Sequence, residues 1–305
     1  MARIRPLPEH LINQIAAGEV VERPASVLKE LLENCLDAGA KRIDVSLAQG
    51  GSRLLRVADD GAGIAADDLP LALARHATSK ISSLDDLEQT LSFGFRGEAL
   101  ASIAAVAQVQ VTSRERGAAH AYVVRAAGEA IGAVEPAALA AGTVIEVADL
   151  YFNTPARRKF LRSEATEFAH CDEALRRVAL AQPDVLFSLT HDGKTRQRYA
   201  AGDLARRVMD ALGEEFCAAA LPMDVSAGSL RLYGYVAQPS FHRAQRDCQY
   251  WFVNGRYVRD RMLQHAARQA FRDQLHSERQ PGYVLYLSLD PRGVDVNVHP
   301  SKTEV

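Results

Sequence analysis

Residues 24–39, PASVLKELLENCLDAG, constrain the fold of this chain more than any other stretch. Proline suits the first turn of a helix, where its missing N–H would be unpaired anyway, and glycine suits the left-handed residue after the last turn. Between Pro24 and Gly39, the residues Val27, Leu28, Leu31, Leu32, Cys35 and Leu36 recur at helical spacing and predict a buried side. Glu30, Asn34 and Asp37 share the opposite side.

A polar helix side is most often just solvated. A carboxylate and a carboxamide one turn apart also suit a pocket. The amide oxygen can hold magnesium, which takes hard oxygen ligands, and the carboxylate can orient or deprotonate a water attacking phosphorus. Spacing alone leaves both readings open.

Two strands are expected over 42–47 and 53–58, joined at Gly50 and Gly51. Asp59-Asp60-Gly61-Ala62-Gly63-Ile64 follows directly. Glycines there let backbone pass close to a ligand, and a carboxylate at a strand end can accept from an exocyclic amine such as that of adenine. Ordinary turns look the same. Downstream lie the polar run 75–80, RHATSK, and then Gly94-Phe95-Arg96-Gly97 just before a helix. Backbone amides at a glycine-flanked helix start suit phosphate. No GxxxxGK followed by Ser or Thr occurs, so this is not a Walker loop.

Further strands are expected over 109–113, 122–126 and 143–148, with an Ala- and Gly-rich loose loop over 127–141. A helix over 163–181 stops before Pro183, and a strand over 185–190 and a helix over 203–212 follow. The texture then turns strand-rich: strands over 229–236 and 249–253, a basic helix over 260–274, and strands over 283–288 and 294–298. With 305 residues there is more chain than one ordinary core holds, which predicts two domains, 1–215 and 216–305.

Hydrophobic residues at 48% and charged residues at 24% give the balance of a soluble globular protein. No apolar run reaches membrane-span length, and MARIRPLPEH lacks the apolar centre of a signal peptide. Cys35, Cys171, Cys217 and Cys248 lie far apart with no CxxC pair, so packing thiols are expected rather than a zinc site or disulfides. None of the nine histidines stands at ligand spacing from an acid or cysteine. Charge is blocked: residues 151–162 carry Arg157, Arg158, Lys159 and Arg162 and no acid, and residues 242–272 carry seven arginines against Asp247 and Asp260. Such separation points weakly to a polyanion-binding face.

The order of these motifs is more specific than any one of them. A helix bearing Glu and Asn, then DxGxG, then a glycine-rich lid, then Gly142-Thr143 opening a strand, resembles the four-part pocket of the GHKL ATPases. Within them, NQIAAGEVVERPASVLKELLENCLDAGA (13–40), DDGAGI (59–64), ARHATSKI (74–81), GFRGEALASIA (94–104), LYFNTPARRKFL (150–161) and VDVNVHPSKTEV (294–305) resemble the N-terminal region of the MutL family of DNA mismatch-repair proteins.

That resemblance implies an α+β fold: a two-layer GHKL (Bergerat-type) domain of mixed sheet and helices, then a ribosomal-protein-S5-like βα transducer domain. It implies ATP and Mg2+ as cofactors, Glu30 as general base and Asn34 as metal ligand. Asp59 would contact adenine, with Gly63, Ile64 and Thr143 lining the base pocket. Asp37, Ala38, Thr78, Ser79, Lys80, Gly94, Phe95, Arg96 and Gly97 would surround ribose and phosphates, and Lys302 would reach the γ-phosphate from the second domain. Arg256, Arg259, Arg261 and Arg268 would hold DNA phosphates without reading bases.

The implied function is ATP-driven dimerisation of two N-terminal regions into a DNA clamp, which couples the mismatch-recognition protein MutS to a downstream nuclease or helicase. The implied setting is bacterial cytoplasm, at the nucleoid, without a membrane partner. A dimerising C-terminal domain is expected beyond this stretch. Two alternatives remain open: a DNA clamp or recruitment module with negligible intrinsic hydrolysis, and another GHKL ATPase.

Overall fold

The computed structural model describes residues 17–18, 21–75, 77, 97–128, 130–243, 248–274 and 279–291. They fall into two compact units, Met1–Leu175 with Val185–Arg198, and Arg176–Asp184 with Tyr199–Val305.

The first unit begins with the helix Pro24–Asp37, with Pro24 in its first turn as expected. Its end is a Schellman closure. Gly39 takes φ +73°, its N–H bonds to Leu36 O at 2.9 Å, and Ala40 N–H bonds back to Cys35 O at 3.1 Å. Val27, Leu28, Leu31, Leu32 and Cys35 are buried. Leu36 is only half-buried, whereas Glu33 is buried and pairs with Lys29 one turn back at 3.6 Å.

The sheet runs in the order β5 (Ala130–Ile131), β4 (Ala121–Ala127), β3 (Gln108–Arg114), β7 (Gly142–Ala148), β2 (Leu54–Asp59), β1 (Arg42–Ala48), β8 (Leu186–His191) and β9 (Lys194–Tyr199), with β6 (Glu135–Ala137) beside β4. It is mixed: β1 pairs parallel with β8 and antiparallel with β2. The alternation of Ile43, Val45 and Leu47 buries one side of β1, as a period of two dictates. The helices Leu69–Ala72, Ala99–Ala104 and Pro155–Arg158 also belong to this unit, and the helix Glu164–Ala181 belongs partly to each.

Several elements depart from the expectations. Strand β9 lies where no element is expected: Lys194, Arg196 and Arg198 alternate along it and are exposed, so no apolar period marks it in the sequence. Short strands β5 and β6 lie in the segment expected to be loose loop. The helix Leu204–Ala219 continues well past 212, through Gly213 at φ +83°, and delivers Phe216 to the core.

That helix belongs to the second unit, which takes in Arg176–Asp184 and Tyr199–Val305. Its sheet runs β10 (Ala220–Ala227), β11 (Leu230–Ala237), β16 (Tyr283–Ser288), β13 (Gln249–Val253), β14 (Arg256–Val258), with β13 and β16 parallel. Strands β12 (His242–Arg243) and β15 (Gln280–Pro281) make a separate pair. Val208, Phe216, Tyr250, Phe252, Val284 and Tyr286 form the core. The helix Arg261–Ala270 is capped by Asp260, whose carboxylate accepts the Leu263 N–H at 2.9 Å. The expected strand over 294–298 lies outside the described residues.

Candidate functional site

Strand register assembles the first part of the site. Asp59, the last residue of β2, lies opposite Thr143 of β7, and Thr143 lies opposite Ser113 of β3. Three polar side chains thus stand across three adjacent strands at one end of the sheet. Thr143 and Ser113 are buried, with Oγ1 and Oγ 2.9 Å apart. Ser113 Oγ also accepts the Ile64 N–H at 2.8 Å and donates to Gly142 O at 3.1 Å.

Asp59 is held from both sides. The Gly61 N–H donates to Oδ1 at 2.8 Å, and the Cys35 thiol, from the pocket helix, donates to Oδ2 at 3.4 Å. Burial pushes the Asp59 carboxyl above its ordinary range, and the N–H groups of Gly61 and Thr143 and the Cys35 thiol pull it partly back. The Cys35 thiol is itself pushed up by burial and by the neighbouring carboxylate. A half-buried carboxylate so flanked suits recognition of an amine donor.

The turn 60–64 is stitched to its surroundings. Asp60 Oδ1 accepts the N–H groups of Lys41 and Arg42 at 2.7 and 2.8 Å, and Ala62 N–H bonds to Ala38 O at 2.9 Å. Gly63 at φ +75° and Gly142 at φ +73° take left-handed backbone conformations, and a Cβ on either would strike backbone, that of Arg114 or of Asp59. These glycines let the strands and the turn close on one another.

The pocket helix supplies the rest. Glu30 and Asn34 are half-buried on it, one turn apart, and Asp37 at its end is exposed. Cys35, next to Asn34, touches Asp59, so base-side and metal-side candidates are joined through adjacent residues of one helix. A carboxamide oxygen beside a carboxylate is a donor set that fits magnesium.

Comparisons with known proteins give matches in both units. Residues 22–134 match the family described as histidine kinase-, DNA gyrase B-, and HSP90-like ATPase, and residues 208–305 match that of the DNA mismatch repair protein, C-terminal domain. A DNA mismatch repair protein MutL from Herminiimonas arsenicoxydans is 57% identical over 304 residues, 99% of this chain and 50% of its own. Another from Azotobacter vinelandii is 59% identical over 309 residues, 100% of this chain and 48% of its own. The chain belongs to the MutL family. It spans about half the length of the curated relatives it matches. The Aquifex aeolicus MutL ATPase domain complexed with ADP aligns with a TM-score of 0.66 at 27% identity, over 89% of this chain and 94% of that one.

Of the remaining residues that the MutL resemblance nominated, Ala38 and Gly97 are described, Ala38 packing its Cβ toward Gly61. Thr78, Ser79, Lys80, Gly94, Phe95, Arg96 and Lys302 lie outside the described residues. Arg256, Arg259, Arg261 and Arg268 lie in the second unit, on β14, on the helix Arg261–Ala270 and on the residues between them; Arg259 Nε donates to the Tyr257 hydroxyl at 3.2 Å.

Sequence reading misses Cys35 and Ser113 as members of this cluster. Cys35 falls on the apolar side of the helix, where packing is the expectation. Ser113 has no sequence signal at all, because only the β3–β7 register brings it to Thr143. One expectation is corrected: a histidine does stand among acids, since Glu164 and Asp192 come within 4.8 Å of His191. Glu164 is distant in sequence and arrives through its helix. The atoms are already engaged, for His191 Nε2 accepts the Gly50 N–H at 3.1 Å and Asp192 Oδ1 the Gln49 N–H at 3.2 Å.

Proposed function

We propose that this chain binds and hydrolyses ATP with Mg2+, and that nucleotide drives two such regions together into a clamp on DNA during mismatch repair. The observation that carries this reading is the Asp59 cluster. A half-buried carboxylate, braced by Gly61, Cys35 and the Thr143 strand, borders the helix that bears Glu30 and Asn34.

In this reading Asp59 accepts the exocyclic amine of adenine, and Gly63, Ile64 and Thr143 shape the base pocket. Magnesium, held in part by the Asn34 oxygen, neutralises charge on the phosphates when bound. Glu30, one turn away, orients a water and takes its proton. Asp37, Ala38, Thr78–Lys80 and Gly94–Gly97 enclose ribose and phosphates, and Lys302 stabilises charge on the γ-phosphate. Arg256, Arg259, Arg261 and Arg268 hold DNA phosphates by charge. The partners are DNA, a second copy of the chain, the mismatch-recognition protein MutS and a downstream nuclease or helicase, at the nucleoid of a bacterial cytoplasm.

Support also comes from the relatives' names, which are those of mismatch-repair proteins, and from an ADP-complexed structural neighbour. The test is ATP affinity and Mg2+-dependent turnover for the wild type, Glu30→Ala and Asn34→Ala. Turnover lost with binding kept for Glu30→Ala, and binding lost for Asn34→Ala, would support the assignment. A wild type that binds no ATP would end it.

A further inference from the structure

We infer that Ser113 is a specificity-determining residue: it takes the proton of the Thr143 hydroxyl, so that Thr143 and Asp59 present only acceptors to a bound base. This role rests on the ATP reading above, which places the base against Thr143. Ser113 is 1% exposed and Thr143 5%, so solvent offers neither hydroxyl a spare partner. The Ser113 hydroxyl has one proton and two lone pairs, and three neighbours stand around its oxygen. The Ile64 N–H, at 2.8 Å, can only donate, and it occupies one lone pair. The Gly142 carbonyl, at 3.1 Å, can only accept, and it takes the proton. The second lone pair is left for Thr143, whose Oγ1 lies at 2.9 Å, so Thr143 is the donor of that pair. With the Ser113 proton turned to Thr143 instead, the Gly142 contact would cease to be a hydrogen bond. Only the first orientation makes bonds of all three contacts at once.

The backbone around these hydroxyls holds that orientation. Ser113 and Thr143 are set opposite each other by the β3–β7 register. The turn 60–64 is tied to the end of β3 a second time, by the Arg116 N–H on Ala62 O at 2.8 Å. Gly63 already lies so close to β3 that a Cβ on it would strike the Arg114 backbone. Ile64 therefore cannot turn its N–H away from Ser113 without moving the whole turn.

A threonine hydroxyl left to itself rotates, and serves an amine or a carbonyl equally well. With its proton spent on Ser113, Thr143 offers lone pairs only, and the ionised Asp59 carboxylate offers nothing else. A wall of acceptors fits a base edge that carries an amine, because both N–H groups of the amine donate. A carbonyl in the same place sets acceptor against acceptor and leaves buried groups without partners, which is how a site built for a donor rejects its analogue. The ligand class is therefore 6-aminopurine nucleotides, selected against 6-oxopurine ones, and Ser113 acts on that choice through Thr143 rather than by touching the base.

The test is calorimetric titration of the full 305-residue chain with ATP and with inosine triphosphate, which carries a carbonyl where ATP carries the amine. The wild type should favour ATP. Ser113→Ala frees the Thr143 proton, so the ratio of ATP to inosine triphosphate affinity should fall roughly 3- to 10-fold, the worth of one hydrogen bond. A loosened 60–64 turn would weaken both ligands alike and leave the ratio unchanged. Thr143→Val in the wild-type background should weaken ATP but not inosine triphosphate. Added to Ser113→Ala, it should weaken inosine triphosphate by a similar factor, since the freed donor is then gone. Equal wild-type affinities, an unchanged ratio in Ser113→Ala, or a Thr143→Val loss that falls on inosine triphosphate in the wild-type background overturns the role of Ser113. The last of these decides even where the Ser113 variant does not fold. Any of the three, with ATP still bound by the wild type, leaves the ATPase reading standing; a wild type that binds neither nucleotide ends both.

Discussion

The Cys35 thiol donates to Oδ2 of Asp59 across 3.4 Å, from the residue next to Asn34 on the pocket helix. The contact ties the helix that would hold the metal to the carboxylate that would hold the base. It also favours the ionised form of a carboxyl group that burial otherwise pushes toward neutrality.

Asp59→Asn separates recognition from stability. The amide keeps the shape but turns an acceptor into a donor on the base side. ATP affinity is expected to fall roughly 10- to 150-fold, the worth of a hydrogen bond to a charged group. The raised pKa of Asp59 means that the folded state bears a cost for its charge, a cost fully present above the folded pKa and absent below the unfolded one. Removing the charge should leave the melting temperature at neutral pH unchanged or higher. Calorimetric titration and thermal melts check both, and an undiminished affinity would remove Asp59 from the site.

The thiol makes a pH prediction of its own. ATP affinity should weaken on acidification as Asp59 protonates, with a midpoint above the roughly 3.9 of a free aspartate. Because the Cys35 thiol lowers the Asp59 pKa, Cys35→Ala should move that midpoint up, while Cys35→Ser, which keeps a donor, should not. Parallel titration of Asp59→Asn subtracts protonation of the ligand. Identical midpoints for the Ala and Ser variants would show that the thiol only fills space.

Much of this site was legible in the sequence because its parts are local. The helix 24–37 has a proline start, a glycine stop and an apolar period, and Asp59 to Gly63 is a single turn. What was not legible depends on pairing between distant segments. Ser113 meets Thr143 only through the β3–β7 register, and Glu164 meets His191 only through the helix that carries it. Strand β9 was invisible for a different reason: an edge strand that exposes Lys194, Arg196 and Arg198 has no apolar alternation to read. The helix expected over 203–212 runs on to Ala219 because the chain continues through Gly213 at φ +83°.

Two glycines with similar backbone conformations should differ in what they tolerate. Gly117, at φ +89°, has nothing within 4 Å of a Cβ, so Gly117→Ala should cost about 1–2 kcal/mol for the left-handed conformation alone. Gly142, at φ +73°, faces the Asp59 carbonyl, and its Cβ would also lie 2.9 Å from Asp60 Cα. Gly142→Ala should cost about 3 kcal/mol or more and shift the Asp59–Thr143 pairing, so nucleotide affinity falls with stability. Urea unfolding of the two variants decides; equal costs would mean that the strand junction has slack.

Tyr151 predicts a window at high pH. Its hydroxyl, donated to Val21 O, is pushed up to about 12 by burial, from an ordinary value of 10.0. A group raised in the folded state contributes stability that is whole below the unfolded pKa and lost as pH climbs through the folded one. The stability gap between wild type and Tyr151→Phe should therefore be constant up to about pH 10 and shrink toward pH 12. At neutral pH it should be about 1–3 kcal/mol, since the Phe variant leaves a carbonyl without its partner. A gap that does not change with pH would mean that the hydroxyl is solvated in the folded protein.

Arg207 is the last case, in the second unit. Its side chain is fully buried, and its guanidinium donates to Ala179 O, Gln182 O at 2.8 Å, Pro183 O at 3.1 Å and Ala200 O at 3.0 Å. It closes the C-terminal end of the helix Glu164–Ala181, where carbonyls have no partner within the helix and the dipole favours a cation. Burial lowers its pKa, but a guanidinium stays charged at any working pH. Arg207→Met fills similar space and takes a donor from four carbonyls. Ala179 O and Pro183 O keep a backbone N–H from Gln182 and Gly202, while Gln182 O and Ala200 O lose the guanidinium, so about 3 kcal/mol of stability should be lost. Arg207→Lys should rescue little, because one ammonium cannot span acceptors arranged for a planar fork. If Lys restored most of the loss in urea unfolding, charge at the helix end, rather than the fan of carbonyl bonds, would be what this residue supplies.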